Sequence, residues 1–168
     1  MDTHHNLTED AERYQQRSSG ILPHIYIAGT DFTIDWRLKE LRETAAPWNA
    51  ISMRHMDMDR EGDHYLFFYD TAQHRVWHFD PYLTALPANV VLMEIPNELK
   101  LDPYAAAHEY GVDPAEFVQN FPIPQKLAGT VKPLSESGLP DIVAENLEKL
   151  EKGRNQGSEL SQGGKRGR

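Results

Sequence analysis

The chain has 168 residues, of which 39% are hydrophobic and 26% are charged, and this is enough for one domain with a modest core. It contains no cysteine, which excludes a disulfide framework, a thiol nucleophile and a cysteine-ligated zinc site. No apolar run approaches the roughly 20 residues of a membrane span, and residues 1–20 are too polar for a secretory signal. We therefore expect a cytoplasmic protein with no membrane partner.

Charge is distributed unevenly along the chain. The net charge is −9, but residues 147–168 carry six bases and three acids, a net +3, which leaves −12 for the rest. An acidic body repels phosphate backbones, so nucleic acid is not the expected partner of the body. Residues 153–168 are rich in Gly, Ser, Gln and basic residues, which predicts a disordered basic tail. Its basic end, residues 165–168, is a candidate contact for a polyanion, although a solubilising tail is the simpler interpretation.

The first ordered segment is predicted to be a hairpin. Residues 1–20 contain few large apolar side chains and are interpreted as a flexible or loosely helical leader. Residues 24–28 are rich in β-forming residues, and residues 32–39 alternate between apolar and polar side chains, as in a half-buried strand. A hairpin across residues 28–31 joins them, although residues 38–43 also fit a helix.

The middle of the chain predicts further strands. Residues 51–58 are a possible third strand, and residues 64–70 and 74–80 form a hairpin across a short polar link. Both faces of this hairpin carry aromatic residues, so one face is expected to cover the core and the other to lie under a helix or loop. Residues 90–95 form a buried strand that ends at Pro96.

The pattern then changes to helix. Asp102-Pro103 and Asp113-Pro114 each provide an N-cap followed by a proline at the first helical position, and Gly111 lies where a C-terminal cap belongs. A last amphipathic helix is predicted from about Pro140 to Lys152, ending at Gly153. The fold class is therefore α+β. We predict an antiparallel sheet of about five strands within residues 21–96, two or three short helices after it, a single domain over residues 21–152 and disordered termini.

A cluster of metal-binding residue types lies in the middle of the sequence. His55, Asp57 and Asp59 are spaced by two and would share one face of a strand, and His64 opens the next strand. Imidazole and carboxylate groups are ligands for zinc, manganese or iron, so these four residues are the candidate metal site. Their spacing matches no known ligand signature, and a polar outer face is the simpler interpretation.

Other enzyme chemistry has little support. The chain has no Gly-x-Ser-x-Gly elbow, no Gly-x-x-x-x-Gly-Lys run and no Gly-x-Gly-x-x-Gly run. Carboxylate pairs such as Asp31 with Asp35 occur in any acidic protein and do not define an acid–base site. We therefore name no catalytic residue and expect no cofactor.

An interaction surface is the remaining candidate. The predicted sheet has many aromatic residues, and any uncovered aromatic face would be a docking patch, with Phe67 and Trp77 as its representatives. The last helix is a second candidate surface through Leu147 and Leu150. For both surfaces, packing within the core is the alternative interpretation.

Three stretches of the sequence resemble conserved hypothetical bacterial proteins. These stretches are residues 22–42, with Leu-Pro, Ala-Gly-Thr and Arg-Leu-Lys-Glu-Leu-Arg; Tyr69-Asp70-Thr71 with Phe79-Asp80; and Leu101-Asp102-Pro103 with Glu109-Tyr110-Gly111. Such proteins resemble accessory cargo of mobile or conjugative elements. The resemblance covers residues 21–145 and brings no activity or catalytic residue with it.

Three functions follow from these features. The leading hypothesis is a non-enzymatic module that binds an unknown protein partner through an aromatic sheet face or the last helix. The first alternative is a small metal-dependent enzyme that uses the His/Asp cluster. The second is an acidic mimic of nucleic acid that occupies a DNA-binding partner, although such a charge also serves solubility.

Overall fold

The structure is a computed structural model that describes the backbone of residues 2–165 and the side chains of residues 8–156. The described residues form an α+β fold, as predicted. The elements are, in chain order, α1 Asp2–Ser18, β1 His24–Ile27, β2 Thr30–Asp35, β3 Glu40–Glu43, β4 Ala50–Ser52, β5 Asp57–Met58, β6 His64–Asp70, β7 Arg75–Val76, β8 Val90–Pro96, α2 Glu98–Leu101, α3 Pro103–Tyr110, α4 Pro114–Asn120, β9 Thr130–Lys132, a 3₁₀ turn Leu134–Glu136 and α5 Leu139–Lys165.

The first sheet is an antiparallel meander of β1, β2, β3 and β4. The predicted hairpin is confirmed, and Ile27 faces Thr30 across a two-residue turn. Both turn residues, Ala28 and Gly29, have positive φ values of 49° and 84°. This is the backbone geometry of a turn that suits the right-handed twist of the strands. Residues 40–43, which also fitted a helix, form β3 because Leu41 then lies on the buried face beside Ile34 and Ile51.

The second sheet contains β5, β6, β8 and β9, with β7 paired to the β5 side of β6. The prediction of one sheet within residues 21–96 is corrected here, because the described strands form two antiparallel sheets and β9 lies beyond residue 96. The chain turns at Met53–Met56 and so separates β4 from β5. The predicted strand 74–80 is reduced to Arg75–Val76.

One segment joins the two sheets. Ala128 forms a parallel bridge to Tyr26 at the edge of the first sheet, where the N–H of Tyr26 donates to the carbonyl of Leu127 at 3.0 Å. The N–H of Gly129 donates to the carbonyl of Tyr26 at 2.7 Å. Three residues later the same segment is β9, and Val131 pairs with Met93 of the second sheet. Residues 127–132 therefore pair with a strand of each sheet, β1 in the first and β8 in the second.

The main core lies between the inner faces of the two sheets. Alternate residues of each strand point into it, as period-two patterning requires. Its buried members are Ile25, Ile27, Phe32, Ile34, Trp36, Leu41, Ile51, Met53, Phe67, Tyr69, Met93, Ile95, Leu101 and Leu127. Burial raises the pKa of the Tyr69 hydroxyl to about 12. A smaller cluster lies on the other face of the second sheet and consists of Val90, Leu134 and Leu139 with Phe68, Trp77, Leu83 and Ile142.

The predicted capping motifs are confirmed. The Asp102 carboxylate accepts a hydrogen bond from the N–H of Ala105 at the start of α3, and Asp113 accepts one from Ala115 at the start of α4. Gly111 ends α3 in the left-handed conformation at φ 71°. Each cap satisfies backbone groups that have no partner within the helix, so these short helices have fixed ends.

Residues 2–18, within the segment predicted to be a flexible or loosely helical leader, form the helix α1. Its Arg17 guanidinium donates to both carboxylate oxygens of Asp102, from Nε to Oδ1 at 3.0 Å and from Nη2 to Oδ2 at 2.9 Å. Tyr14 packs edge-on against Tyr104 with the ring centroids 5.7 Å apart. These contacts connect α1 to α3, so the folded unit extends before residue 21.

The helix α5 continues beyond its predicted end at Gly153. It runs to Lys165 although it contains four glycines, each of which costs about 1 kcal/mol relative to alanine, and the Glu, Lys and Gln residues around Gly153 are good helix formers. A salt bridge of 3.3 Å between Lys152 and Glu148 adds a helical i,i+4 pair. The prediction of a disordered tail falls partly on residues 166–168, which lie outside the described residues. Within the described part of the chain, no helix has the length and apolar character to span a bilayer.

Candidate functional site

The four predicted metal ligands do not form one site. The ring of His64 donates from Nδ1 to the Asp59 carboxylate at 2.8 Å. His55 and Asp57 instead line a different cavity, of about 430 Å³, beside Trp77 and Phe79. Among the residues that the structure describes, no group of three or more His, Asp or Glu side chains is placed to hold a metal ion. The reason is the antiparallel register of β5 with β6, in which Asp57 faces Leu66 and Asp59 meets His64, so His55 lies farther along β6 from His64.

The pair that does form is a fixed imidazole–carboxylate contact. Asp59 also accepts hydrogen bonds from the backbone N–H groups of Asp63 at 2.9 Å and His64 at 3.3 Å. The hydrogen bond from His64 is the main cause that holds the pKa of Asp59 below its ordinary value. Because the Asp59 carboxylate accepts the hydrogen bond from Nδ1–H, the orientation of the His64 ring is fixed and Nε2 faces away from Asp59.

The two aromatic residues predicted to represent a docking face are both packed against other side chains, Phe67 fully and Trp77 in part. Phe67 is only 7% exposed and belongs to the main core between the two sheets. Trp77 packs edge-on against Phe68, with centroids 5.6 Å apart, in the small cluster that Leu139 and Ile142 of α5 complete. Of the residues predicted to bind a partner, Phe67 and Trp77 are therefore engaged in packing. This outcome follows the expectation that one face covers the core and the other lies under a helix.

The other two predicted partner-binding residues lie on an open surface. Asn146 donates from Nδ2 to the carbonyls of Pro81 and Leu83, both at 2.8 Å, and so anchors α5 to the loop after β7. Beyond this point Leu147 is 49% exposed and Leu150 is 48% exposed. All residues from 147 to 156 are exposed. We call residues 147–152, which are two leucines and four charged residues, the exposed α5 face.

A cavity of about 560 Å³ lies beside His64, where sequence reasoning predicted none. We call it the His64 cavity. Strands β6, β8 and β9, the helix α2 and the segment after α4 surround it. Its lining residues are His64, Glu94, Pro96, Leu99, Lys100, Asn120, Phe121, Pro122, Pro124, Lys126, Leu127, Ala128 and Thr130. This volume is within the range of small-molecule sites.

A row of ionisable side chains, in which carboxylates alternate with an imidazole and an ammonium group, crosses the sheet at this cavity. From Asp59 the row passes to His64, whose Nε2 lies 3.6 Å from Glu94 Oε1. The other Glu94 oxygen, Oε2, accepts a hydrogen bond from Lys132 Nζ at 2.7 Å. This hydrogen bond and the charge of Glu94 raise the pKa of Lys132. Each carboxylate of the row therefore has a cationic or hydrogen-bonding neighbour, and Glu94 does not present an uncompensated negative charge to the cavity.

A second polar cluster connects β6 to the helices. The hydroxyl of Tyr65 donates to Glu98 Oε2 at 2.9 Å, and the hydroxyl of Tyr110 donates to Glu98 Oε1 at 2.5 Å. Burial is the main cause that raises the pKa of both tyrosines, and their bonds to Glu98 add to it. Burial acts to raise the pKa of Glu98 as well, but hydrogen bonds from Tyr110, its own backbone and Tyr65 outweigh it, so this pKa is lowered. The cluster thus keeps the carboxylate ionised and joins α2 and α3 to the sheet.

Comparison of the chain with protein-family models, with curated proteins and with solved structures finds no match. The resemblance to conserved bacterial proteins therefore stays a prediction. The exposed α5 face and the His64 cavity are two surface features on which a ligand or partner has room to bind.

Proposed function

We propose that the protein is a non-enzymatic interaction module that binds a protein partner through the exposed α5 face, in a cytoplasmic setting. The observation that supports this proposal is the exposure of Leu147 and Leu150 on a helix whose preceding turns are anchored to the body. An amphipathic helix that presents two leucines three residues apart fits a hydrophobic groove on a partner.

Charge indicates which kind of groove fits this helix. The chain from residue 147 onward has a net charge of +3, whereas the rest carries −12. The exposed α5 face itself has two glutamates and two lysines, so the net +3 is carried by residues 153–168, and a partner groove with apolar walls for the leucines and an acidic rim beside it complements this end of the chain. A second copy of the chain is a poorer occupant, because pairing through α5 would bring two acidic bodies together. The proposed partner is therefore a different protein with an acidic groove.

The aromatic sheet face is no longer part of the proposal, since Phe67 and Trp77 are packed. The nucleic-acid-mimic alternative stays a prediction. Several described carboxylates have basic neighbours, including Asp102 with Arg17, Asp35 with Arg42 and Glu109 with Lys39. Neutralised carboxylates of this kind do not resemble a row of phosphates.

The test compares what three forms of the full chain capture from cell extract. Leu147→Asp/Leu150→Asp places charges on the exposed α5 face. Leu86→Asp is the control, because Leu86 is also about half exposed but lies in the loop after β7 and not on α5. We expect the wild type and the control to capture the same partner and the double variant to bind it at least about tenfold more weakly. Thermal melts should be similar for all three, since none of the replaced side chains is buried.

Charge provides the second criterion. Lys149→Glu/Lys152→Glu should weaken the same capture, and the captured protein should have an acidic site. The proposal fails if the captured proteins are unchanged in the Leu147→Asp/Leu150→Asp variant, or if the wild type forms a dimer that this variant abolishes.

A further inference from the structure

The His64 cavity is lined by two lysines that form no ion pair with a described side chain. Lys100, in the last turn of α2, and Lys126, in the segment after α4, both line it. Both side chains are exposed, and neither forms an ion pair with any residue whose side chain the structure describes. Lys126 instead lies over the ring of Tyr26, with Nζ 5.5 Å from the ring centroid. The cavity thus has two lysines without a carboxylate partner in a protein of net charge −9.

The negative group within the cavity is already compensated. Glu94 is held between Lys132 and His64, so it does not neutralise Lys100 or Lys126. The imidazole of His64 is in turn fixed by Asp59, which orients its Nε2 away from that carboxylate. Near the two lysines the local balance of charge is positive, and positive charge inside a concave site concentrates anions.

Apolar residues form much of the remaining wall, beside the polar Asn120 and Thr130. Leu99, Phe121 and Leu127 line the cavity together with three prolines, Pro96, Pro122 and Pro124. Prolines fix the backbone of the wall, and the bridge from Tyr26 to Ala128 holds the segment against the first sheet. An apolar body bound here would remove these walls from water, as in most small-molecule sites.

We propose that the His64 cavity binds a small organic anion, a molecule that carries one phosphate or carboxylate group on an apolar ring. The anionic group pairs with Lys100 and Lys126, and the ring packs on Leu99, Phe121 and the prolines. This site is separate from the exposed α5 face and does not depend on it. The proposal concerns binding and includes no chemical step.

The experiment is isothermal titration calorimetry of the full chain with four probes. These are 1-naphthyl phosphate, 1-naphthoate, neutral 1-naphthalenemethanol and inorganic phosphate. We expect the two aromatic anions to bind at least about tenfold more tightly than the neutral alcohol and than inorganic phosphate, because each of these lacks one half of the recognition. The tighter of the two aromatic anions identifies the preferred head group.

Three variants locate the site. Lys100→Gln and Lys126→Gln should each weaken binding of the tighter anion by about fivefold, the size of one partly exposed ion pair, and Phe121→Ala should weaken it by a similar factor. Arg37→Gln, at an exposed cation that lies in neither proposed site, is the control and should leave binding unchanged. Equal affinity for the neutral alcohol, equal affinity for inorganic phosphate, or no heat from any probe at millimolar concentration would each overturn the proposal. Binding of an aromatic anion that is insensitive to both lysine variants would overturn it as well.

Discussion

Replacing Arg17 by methionine tests whether α1 is an integral part of the fold. Methionine keeps the apolar length of the side chain but removes the two contacts to Asp102, at 3.0 Å from Nε and 2.9 Å from Nη2. The Asp102 side chain is 1% exposed, so its charge cannot turn to water when the guanidinium is lost. Arg17→Met therefore leaves a buried carboxylate whose described hydrogen bond comes only from the N–H of Ala105.

The expected cost follows from this burial. Opposite charges about 4 Å apart interact by about 4 kcal/mol at the effective dielectric constant of about 20 that suits protein sites. Removing one partner of a buried pair costs about 3–5 kcal/mol, and the remaining Ala105 hydrogen bond offsets part of this loss. We expect Arg17→Met to lower the free energy of unfolding by about 3 kcal/mol at neutral pH, a large fraction of the 5–15 kcal/mol that is usual for a domain.

Urea denaturation followed by circular dichroism measures this loss. Asp102→Asn should cost less than Arg17→Met, because asparagine keeps an oxygen for the N-cap and Arg17, 13% exposed, retains some access to water. The double variant should cost less than the sum of the two single variants, since both remove the same interaction. Arg37→Met is the control at an exposed arginine with no ion pair to a described side chain. A loss below about 1 kcal/mol in Arg17→Met, equal to that of the control, would refute the docking of α1.

Two further predictions concern packing and pH. A Cβ on Gly129 would lie 2.7 Å from Met93 Sδ, so Gly129→Ala should lower the free energy of unfolding, measured by urea denaturation, by about 1–3 kcal/mol. Gly138→Ala is the control, because nothing lies within 4 Å of its new Cβ, and it should not lower this free energy. Equal effects of the two substitutions would contradict the tight contact at Gly129. The hydrogen bond from His74 holds the pKa of Glu43 below its ordinary 4.5, so the pair stabilises the fold above that pH and its contribution disappears as the pH falls through the lowered value. Glu43→Gln should therefore flatten the fall of the urea midpoint on acidification, and an unchanged pH profile would show that the pair does not form in solution.

The local elements of the fold were predictable because their determinants are adjacent in sequence. Asp102-Pro103 and Gly111 set the ends of α3 through contacts within a few residues, and the alternation in β2 and β6 set which side chains are buried. The prediction that both faces of β6 are covered also follows from its composition. Such features need no knowledge of what lies far away in the chain.

The division into two sheets depends on long-range contacts that no local pattern contains. Strand β9 has three residues and exists because Thr130–Lys132 meets β8. The helix α1 has little apolar surface, and its position depends on the pairing of Arg17 with Asp102, a residue 85 positions later in the chain. In the sequence, Arg17 belongs to a polar leader and Asp102 to a helix cap, and no local pattern connects the two residues.

The candidate sites show the same limit. The exposure of Leu147 and Leu150 follows from the position at which α5 leaves the body, just after Asn146 binds the loop carbonyls. The His64 cavity exists because the segment after α4 returns to pair with β1 and β8, so Lys126 and His64 line the same cavity. The signal that was available in the sequence was the proline-rich run of residues 121–124, which predicts a rigid extended wall but not what it faces.

The segment of residues 127–132 has a kinetic consequence. Tyr26 lies near the start of the chain, yet it obtains its partner at Ala128 only after most of the polypeptide has been synthesised. Loop closure over so long a stretch makes folding slow, and β1 and β8 each keep an unsatisfied edge until that closure occurs. A nascent chain that has not yet emerged past Lys132 is therefore the form most prone to aggregate. Detachment of residues 127–132 should expose the edges of both sheets in a single cooperative step.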